Sequence, residues 1–139
     1  MIVSKKDYLA MLRARVSDAE REALRDDETL VISGYNRGTI ERMLYTQEAF
    51  KGDVDTERAE SLGSALSAYL ESYMADKPEG HKWIILCCLF LSMVAGEPMH
   101  PQPLTDWEER DGGYFCGARE DSEGSLCRWC VCRSLNEKG

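Results

Sequence analysis

The sequence predicts a mainly α-helical fold: a body of four helices followed by an irregular, metal-binding C-terminal knuckle that contains a short hairpin. Two observations lead to this prediction. Apolar residues recur at three- and four-residue spacings through the first 96 positions, whereas Pro98, Pro101 and Pro103 interrupt any helix beyond them. The chain has 139 residues, of which 43% are hydrophobic and 30% charged, so it can bury one core and is not a disordered chain.

The first helix is predicted over residues 4–25. Ser4 followed by Asp7 resembles a capping box, in which a side chain satisfies one of the first backbone N–H groups of a helix. Arg13 lies on the opposite, polar face and is interpreted as solvated surface. The apolar face is formed by Leu9, Leu12, Val16, Ala19 and Ala23.

The second helix is predicted over residues 39–51. Residues 29–38, just before it, are interpreted as helix or loop, because the apolar run 30–32 could form a short strand or one helical turn before Gly34 and Gly38 interrupt it. The helix has Ile40 and Leu44 on one face, and Lys51 followed by Gly52 is typical of a helix end.

The third helix is predicted over residues 55–75, with Asp55 as its N-cap and Pro78 beyond its end. Small side chains at Gly63, Ser64 and Ser67 would allow a neighbouring element to approach closely. The apolar face should contain Leu62, Leu66, Tyr69, Leu70 and Tyr73.

The fourth helix, residues 81–95, is the most apolar part of the chain. Its apolar run is shorter than the roughly 20 residues that a membrane span needs, so we expect a buried core helix and no membrane association. Cys87 and Cys88 are interpreted as small core residues, and His81 as a structural residue. Across the helical body, the predicted core includes Leu12, Val16, Leu66, Leu70, Ile85, Leu89 and Met93.

The C-terminal module is predicted over residues 97–135. Residues 111–113 form an Asp-Gly-Gly turn signal, and residues 114–116 have the composition of a short strand. The module has too few aliphatic residues to form a core of its own, so residues 1–139 should form a single domain. Within it, the helical body is predicted at 1–96 and a frayed tail at 136–139. The module should dock on the body through Trp107, Tyr114, Phe115 or Trp129.

Four of the six cysteines lie in this module. Cys127 and Cys130 have the spacing at which two thiolates can bind one ion from a tight turn. Cys116 and His100 can supply the third and fourth ligands of a tetrahedron. The sequence therefore predicts a closed, structural zinc site formed by His100, Cys116, Cys127 and Cys130.

Alternatives remain open for the same residues. Cys132 could replace His100 as the fourth ligand, and the four-cysteine set would suit an iron–sulfur cluster. Unligated thiols, or redox pairing of Cys127 with Cys130, are further alternatives.

Charge and composition limit the function classes. The net charge of −8 and the seven acidic residues that stand against two arginines between positions 106 and 123 argue against nucleic acid as a partner. The early charge at Lys5 excludes the h-region of a signal peptide, so we expect a cytoplasmic protein with reduced cysteines.

Two classes of function remain. The first is an interaction or regulatory module that binds protein, with homo-oligomerisation possible, in which the ion only holds the C-terminal segment in place. The second is a metal- or thiol-dependent enzyme, with a carboxylate from residues 106–123 as general base, or an iron–sulfur protein in electron transfer.

The stretches His100-Pro101, Gly113-Tyr114-Phe115-Cys116 and Cys127-Arg-Trp-Cys130 resemble an uncharacterised family of small proteins from methanogenic archaea, the domain-of-unknown-function family numbered twenty-one fifteen. Residues 102–104 replace the Gly/Pro-rich loop of that family, and Gly117 stands where a proline is expected. The resemblance implies an N-terminal helical part, an archaeal cytoplasm and no particular reaction. It favours one ligand set: His100, Cys116, Cys127 and Cys130.

Overall fold

The computed structural model describes residues 1–99, 107–110, 113–116 and 133–134. These ranges contain five α-helices, so the mainly helical class is confirmed, although the helical body has one helix more than predicted. The helices are α1 (Lys5–Ala14), α2 (Asp18–Asp26), α3 (Gly34–Tyr45), α4 (Thr56–Tyr73) and α5 (His81–Leu89). The strands are β1 (Ile2–Ser4), β2 (Asp53–Asp55), β3 (Trp107–Arg110), β4 (Gly113–Cys116) and β5 (Arg133–Ser134).

The core lies around α5, which packs against α3 and α4, while a π-helical segment that follows α5 packs against α1. Leu12, Ile40, Leu62 and Phe90 are fully buried there. A short antiparallel ladder, in which Val3 pairs with Val54, closes one side of the body. Sequence analysis did not predict this ladder, because strands of three residues are too short to show an alternating pattern.

The prediction of one helix over residues 4–25 was wrong, because Ser17 begins a new helix. Its side chain accepts a hydrogen bond from the backbone N–H of Glu20, and the carboxylate of Glu20 accepts one from the backbone N–H of Ser17. This reciprocal capping box holds Ser17 in an extended conformation. The apolar spacing continues across the break, so periodicity alone could not reveal it. The predicted cap at Ser4 is confirmed, with its Oγ 3.0 Å from the N–H of Asp7.

Glu20 also joins α2 to α5, since both of its carboxylate oxygens lie 2.9 Å from Nζ of Lys82. Partial burial acts to raise the pKa of Glu20, but the hydrogen bonds from Ser17 and Lys82 outweigh it and hold the pKa below its usual value. The ionised carboxylate is therefore the stabilising form. Its contribution to stability is present at neutral pH and lost as the pH falls through the lowered pKa.

Glu20→Gln should lower the free energy of unfolding at pH 7 by about 0.2–1 kcal/mol, the usual range for a partly exposed ion pair. Glutamine preserves the capping box, so only the charge is removed. Urea denaturation of both proteins at a series of pH values measures the difference, which should disappear at acid pH, where Glu20 is protonated. A difference that stayed constant down to acid pH would contradict the electrostatic explanation.

The second predicted helix, residues 39–51, is displaced toward the N-terminus. In the structure α3 begins at Gly34, where the side chain of Ser33 accepts a hydrogen bond from the N–H of Asn36, and it ends at Tyr45. Gly52 has a positive φ of 117°, but it precedes β2 and does not cap a helix. Residues 46–52, whose composition was interpreted as a helix end, therefore connect α3 to β2.

Arg13, a residue of α1, caps the C-terminal end of α3. Its Nε and Nη2 donate to the carbonyl oxygens of Met43 and Thr46 at 2.7 and 3.0 Å. Carbonyl groups at the end of a helix lack partners within the helix, so the guanidinium acts as a C-cap of α3 and complements the negative end of the helix dipole. The interpretation of Arg13 as solvated surface was therefore wrong.

The third predicted helix corresponds to α4, and Asp55 caps it by accepting a hydrogen bond from the N–H of Glu57 at 3.0 Å. Leu62, Leu66 and Leu70 are buried as predicted. Tyr69 and Tyr73 are not, since 47% and 71% of their surface is exposed and their rings stack on each other, 5.3 Å apart. The buried stripe of α4 is narrower than the apolar spacing suggested.

The fourth predicted helix, residues 81–95, is helical throughout but changes geometry at Phe90. Phe90–Ala95 form a π-helical segment that ends at Gly96, which has a φ of 64° and acts as a left-handed cap. The predicted burial of Leu89 and Met93 is confirmed, as it is for Leu12, Val16, Leu66 and Leu70, whereas Ile85 is only partly buried.

The hairpin predicted in the C-terminal module is confirmed. β3 and β4 pair antiparallel, with Trp107 opposite Cys116 and Arg110 opposite Gly113. β5 adds a third, parallel strand that had not been predicted. Docking of the module through Trp107, Tyr114, Phe115 or Trp129 stays a prediction. Of these side chains only that of Tyr114 is described, and it is half-buried.

Candidate metal centre

Of the predicted ligands, only the backbone of Cys116 falls within the described residues. It is the last residue of β4, where it pairs with Trp107 on one side and with Ser134 of β5 on the other. His100, Cys127, Cys130 and the alternative ligand Cys132 lie outside the described residues. The described ranges themselves contain no group of three or more His, Cys, Asp or Glu side chains that could hold a metal ion.

β5 begins immediately after the cysteine run, because Arg133 follows Cys132 in the chain. Arg133 pairs with Phe115, the neighbour of Cys116. Consecutive Cα atoms are about 3.8 Å apart, so a chain of at most about 11 Å joins Cys130 to Arg133. The parallel pairing of β4 with β5 is therefore compatible with one ion bound by Cys116 and the Cys127–Cys130 pair.

The chain leading to His100 is fixed to the helical body. Glu97 forms two hydrogen bonds with Arg42 of α3, at 2.9 and 2.7 Å, and Met99 is 9% exposed. The Arg42 guanidinium also lies 5.4 Å from the ring centroid of Phe90. A paired arginine–carboxylate contact of this kind fixes direction as well as distance. Glu97 thus fixes the chain on α3 three residues before His100.

Sequence analysis did not identify the pairing of Arg42 with Glu97. The two residues are 55 positions apart, and nothing in their local composition distinguishes them from surface charges. The only sequence signal is indirect: Glu97 immediately follows Gly96, and a residue just after a helix cap has a defined direction.

Cys87 is a core residue, as predicted. It is 2% exposed, and its Sγ lies 3.5 Å from the carbonyl oxygen of Asn36. Burial, and then the proximity of Cys88, raise the pKa of its thiol. A thiol that resists ionisation is a poor metal ligand and a poor nucleophile. Cys88 is half-buried beside it, and neither residue forms a disulfide.

His81 has a structural contact that agrees with its interpretation. Its Nε2 lies 2.6 Å from the carbonyl oxygen of Met74, which follows the last residue of α4. A carbonyl can only accept, so Nε2 carries the proton in this contact. His81 therefore connects the end of α4 with the start of α5.

One described helical stretch, Pro78–Ala95, has 18 residues and a mean hydropathy of 1.2, which by length and composition alone suffices to cross a membrane. Half of it is buried inside the protein, where it packs against α3 and α4. Burial of this kind is also typical of a core helix, which is how sequence analysis interpreted the segment.

Comparison with known proteins confirms the family that the sequence resembles. Residues 6–135 match a family described as an uncharacterized protein conserved in archaea, DUF2115. A UPF0305 protein of Methanocaldococcus jannaschii is 25% identical over 92 residues, which cover 61% of this chain and 56% of that protein, so the chain spans little more than half of its relative. No solved structure matches the chain. The chain is a member of the archaeal family DUF2115.

Proposed function

We propose that this protein is an interaction or regulatory module of the archaeal cytoplasm, in which a structural zinc ion fixes the C-terminal segment on the helical body. The ion is held by His100, Cys116, Cys127 and Cys130. Its role is to stabilise a surface that another protein recognises. Catalysis is not required of it.

The register of β4 and β5 carries this proposal. Cys116 ends β4, and β5 starts one residue after the cysteine run, so the two parts of the ligand set adjoin the same pair of strands. A zinc ion at this end of the sheet would join strands that are too short to be stable alone. Zinc binding would thus supply folding free energy to the module.

The anchoring of residues 96–99 supports His100 as the fourth ligand. Arg42 holds Glu97 on the helical body, and Met99, the residue before His100, is buried. A histidine that starts from a fixed position loses less conformational freedom on binding than one in a free loop. Three thiolates and one imidazole form a closed tetrahedral set, which is typical of structural zinc and leaves no position for substrate.

Metal analysis of the purified protein tests the proposal. We expect about one equivalent of zinc per chain and a colourless protein. Chelation should expose residues 97–135 to proteolysis while the far-ultraviolet circular dichroism of the helical body persists, because its core does not include the ligands.

Two results would overturn the proposal. A brown protein that contains iron and sulfide, with a colour dependent on Cys132 and independent of His100, would assign a cluster and move the function toward electron transfer. A metal-free protein in which the four C-terminal cysteines react freely with a thiol reagent in the native state would remove the site altogether.

A further inference from the structure

A groove of about 480 Å³ runs along the surface between α1 and α4. α4 packs against α5 and α1 packs against the π-helical segment, and no described side chain fills the space between α1 and α4. Ile85 and Leu89 of α5 lie at its base. Tyr8, Met11 and Arg15 line the α1 side, and the α4 side is lined by Thr56, Ala59, Glu60, Gly63, Ser64 and Ser67.

Four residues on the α4 side of the groove have small side chains: Ala59, Gly63, Ser64 and Ser67. A Cβ added to Gly63 would have no atom within 4 Å, so the helix backbone itself is accessible there. On the opposite side, Met11 is 46% exposed although it is apolar. Another helix could therefore approach α4 closely and cover Met11 at the same time.

The two sides of the groove carry opposite charges. Arg15, directly after α1, and Glu60 on α4 are both exposed, and neither forms an ion pair with any residue of the described ranges. Both act on the buried hydroxyl of Tyr8: burial raises its pKa, Arg15 lowers it and Glu60 raises it. Arg15 and Glu60 both line the groove beside Tyr8.

We propose that this groove is the contact surface for a second copy of the same chain. In a two-fold dimer, every contact occurs twice with the partners exchanged. The small-residue side of α4 from each copy would enter the groove of the other, and Arg15 of each copy would meet Glu60 of the partner subunit. The surface is its own electrostatic complement, which favours a second copy over a partner of one dominant charge. This inference does not depend on the zinc site.

Analytical ultracentrifugation of the full chain tests the inference, over about 1–100 µM, where a dimer of modest interface area dissociates. We expect a concentration-dependent dimer of the 15.7 kDa chain that weakens as the salt concentration rises. A monomer at every concentration would overturn the proposal and leave the groove to a helix of some other protein.

Charge exchange identifies the surface. Arg15→Glu and Glu60→Arg should each weaken the dimer at least tenfold, because each places like charges opposite one another, and the double variant should recover most of the affinity. Arg58→Glu is the matched control, since Arg58 is exposed on α4 and does not line the groove. A dimer that the two single variants do not weaken, or that the double variant does not restore, would overturn the assignment.

Gly63→Gln provides an independent check in which no charge changes. Glutamine has a higher helix propensity than glycine, and the space around Gly63 is open, so the monomer should remain folded. The added side chain would occupy the groove and should abolish the dimer. Far-ultraviolet circular dichroism and thermal unfolding confirm that the variant is folded, and a folded variant that still forms the dimer would place the interface elsewhere.

Discussion

Replacing Cys130 by serine is expected to abolish zinc binding. A hydroxyl is not deprotonated at neutral pH as a zinc-bound thiol is, and the remaining ligands of a closed site cannot compensate. Structural zinc sites contribute about 10–16 kcal/mol of apparent binding free energy, so the loss should be complete at micromolar zinc. Cys127→Ser should have the same effect, and atomic absorption of the purified variants measures both.

The same series contains its own controls. Cys132→Ser should keep about one equivalent of zinc, and His100→Ala should weaken binding without eliminating it, because three thiolates and a water molecule still hold the ion. Cys88→Ser tests whether any cysteine substitution lowers the zinc content. Full zinc occupancy in Cys130→Ser, or loss of zinc only in Cys132→Ser, would contradict the ligand set.

Phe90→Ala should have the largest effect on the stability of the helical body. Phe90 is 0% exposed, its ring meets that of Phe50 edge to face at 5.9 Å, and Arg42 lies over its face. Truncation removes these contacts and leaves a cavity, at a cost of about 3–5 kcal/mol. Since domains of this size are stable by about 5–15 kcal/mol, the variant should be partly unfolded at moderate temperature.

Urea denaturation followed by circular dichroism measures the change. Tyr73→Ala removes an aromatic side chain that is 71% exposed, so it is the matched control and should cost less than about 1 kcal/mol. Equal losses in the two variants would show that the ring at position 90 contributes no more than a surface contact. That result would contradict the placement of Phe90 in the core.

Sequence reasoning predicted the helices whose ends carry local signals. Asp55 and Gly96 mark real helix ends because each acts on backbone groups within its own helix. Ser17 was missed although its capping box is also local, because the apolar spacing continued past it. The end of α3 was missed for a different reason: it depends on Arg13, which is 30 residues away from Met43.

The candidate site also combines features that have a local sequence signal with features that depend on non-local contacts. The spacing of Cys127 and Cys130 is a local signal, and it suggested a metal site without any knowledge of the fold. The adjacency of Cys116 to the strand after the cysteine run could not be predicted, because parallel pairing of β4 with β5 has no signature in segments of two to four residues. The contact between Glu97 and Arg42 is equally non-local.

The ladder between β1 and β2 has a consequence for the order of folding. It pairs Val3 with Val54, and the backbone oxygen of Met1 accepts hydrogen bonds from the N–H and hydroxyl of Thr56, the first residue of α4. Closing the ladder encloses α1, α2 and α3 in one loop. The entropic cost of loop closure rises by about 0.6 kcal/mol for each doubling of loop length, so this ladder costs more than any contact within a helix. Such non-local contacts slow folding. The ladder should therefore close late, after the three enclosed helices have packed.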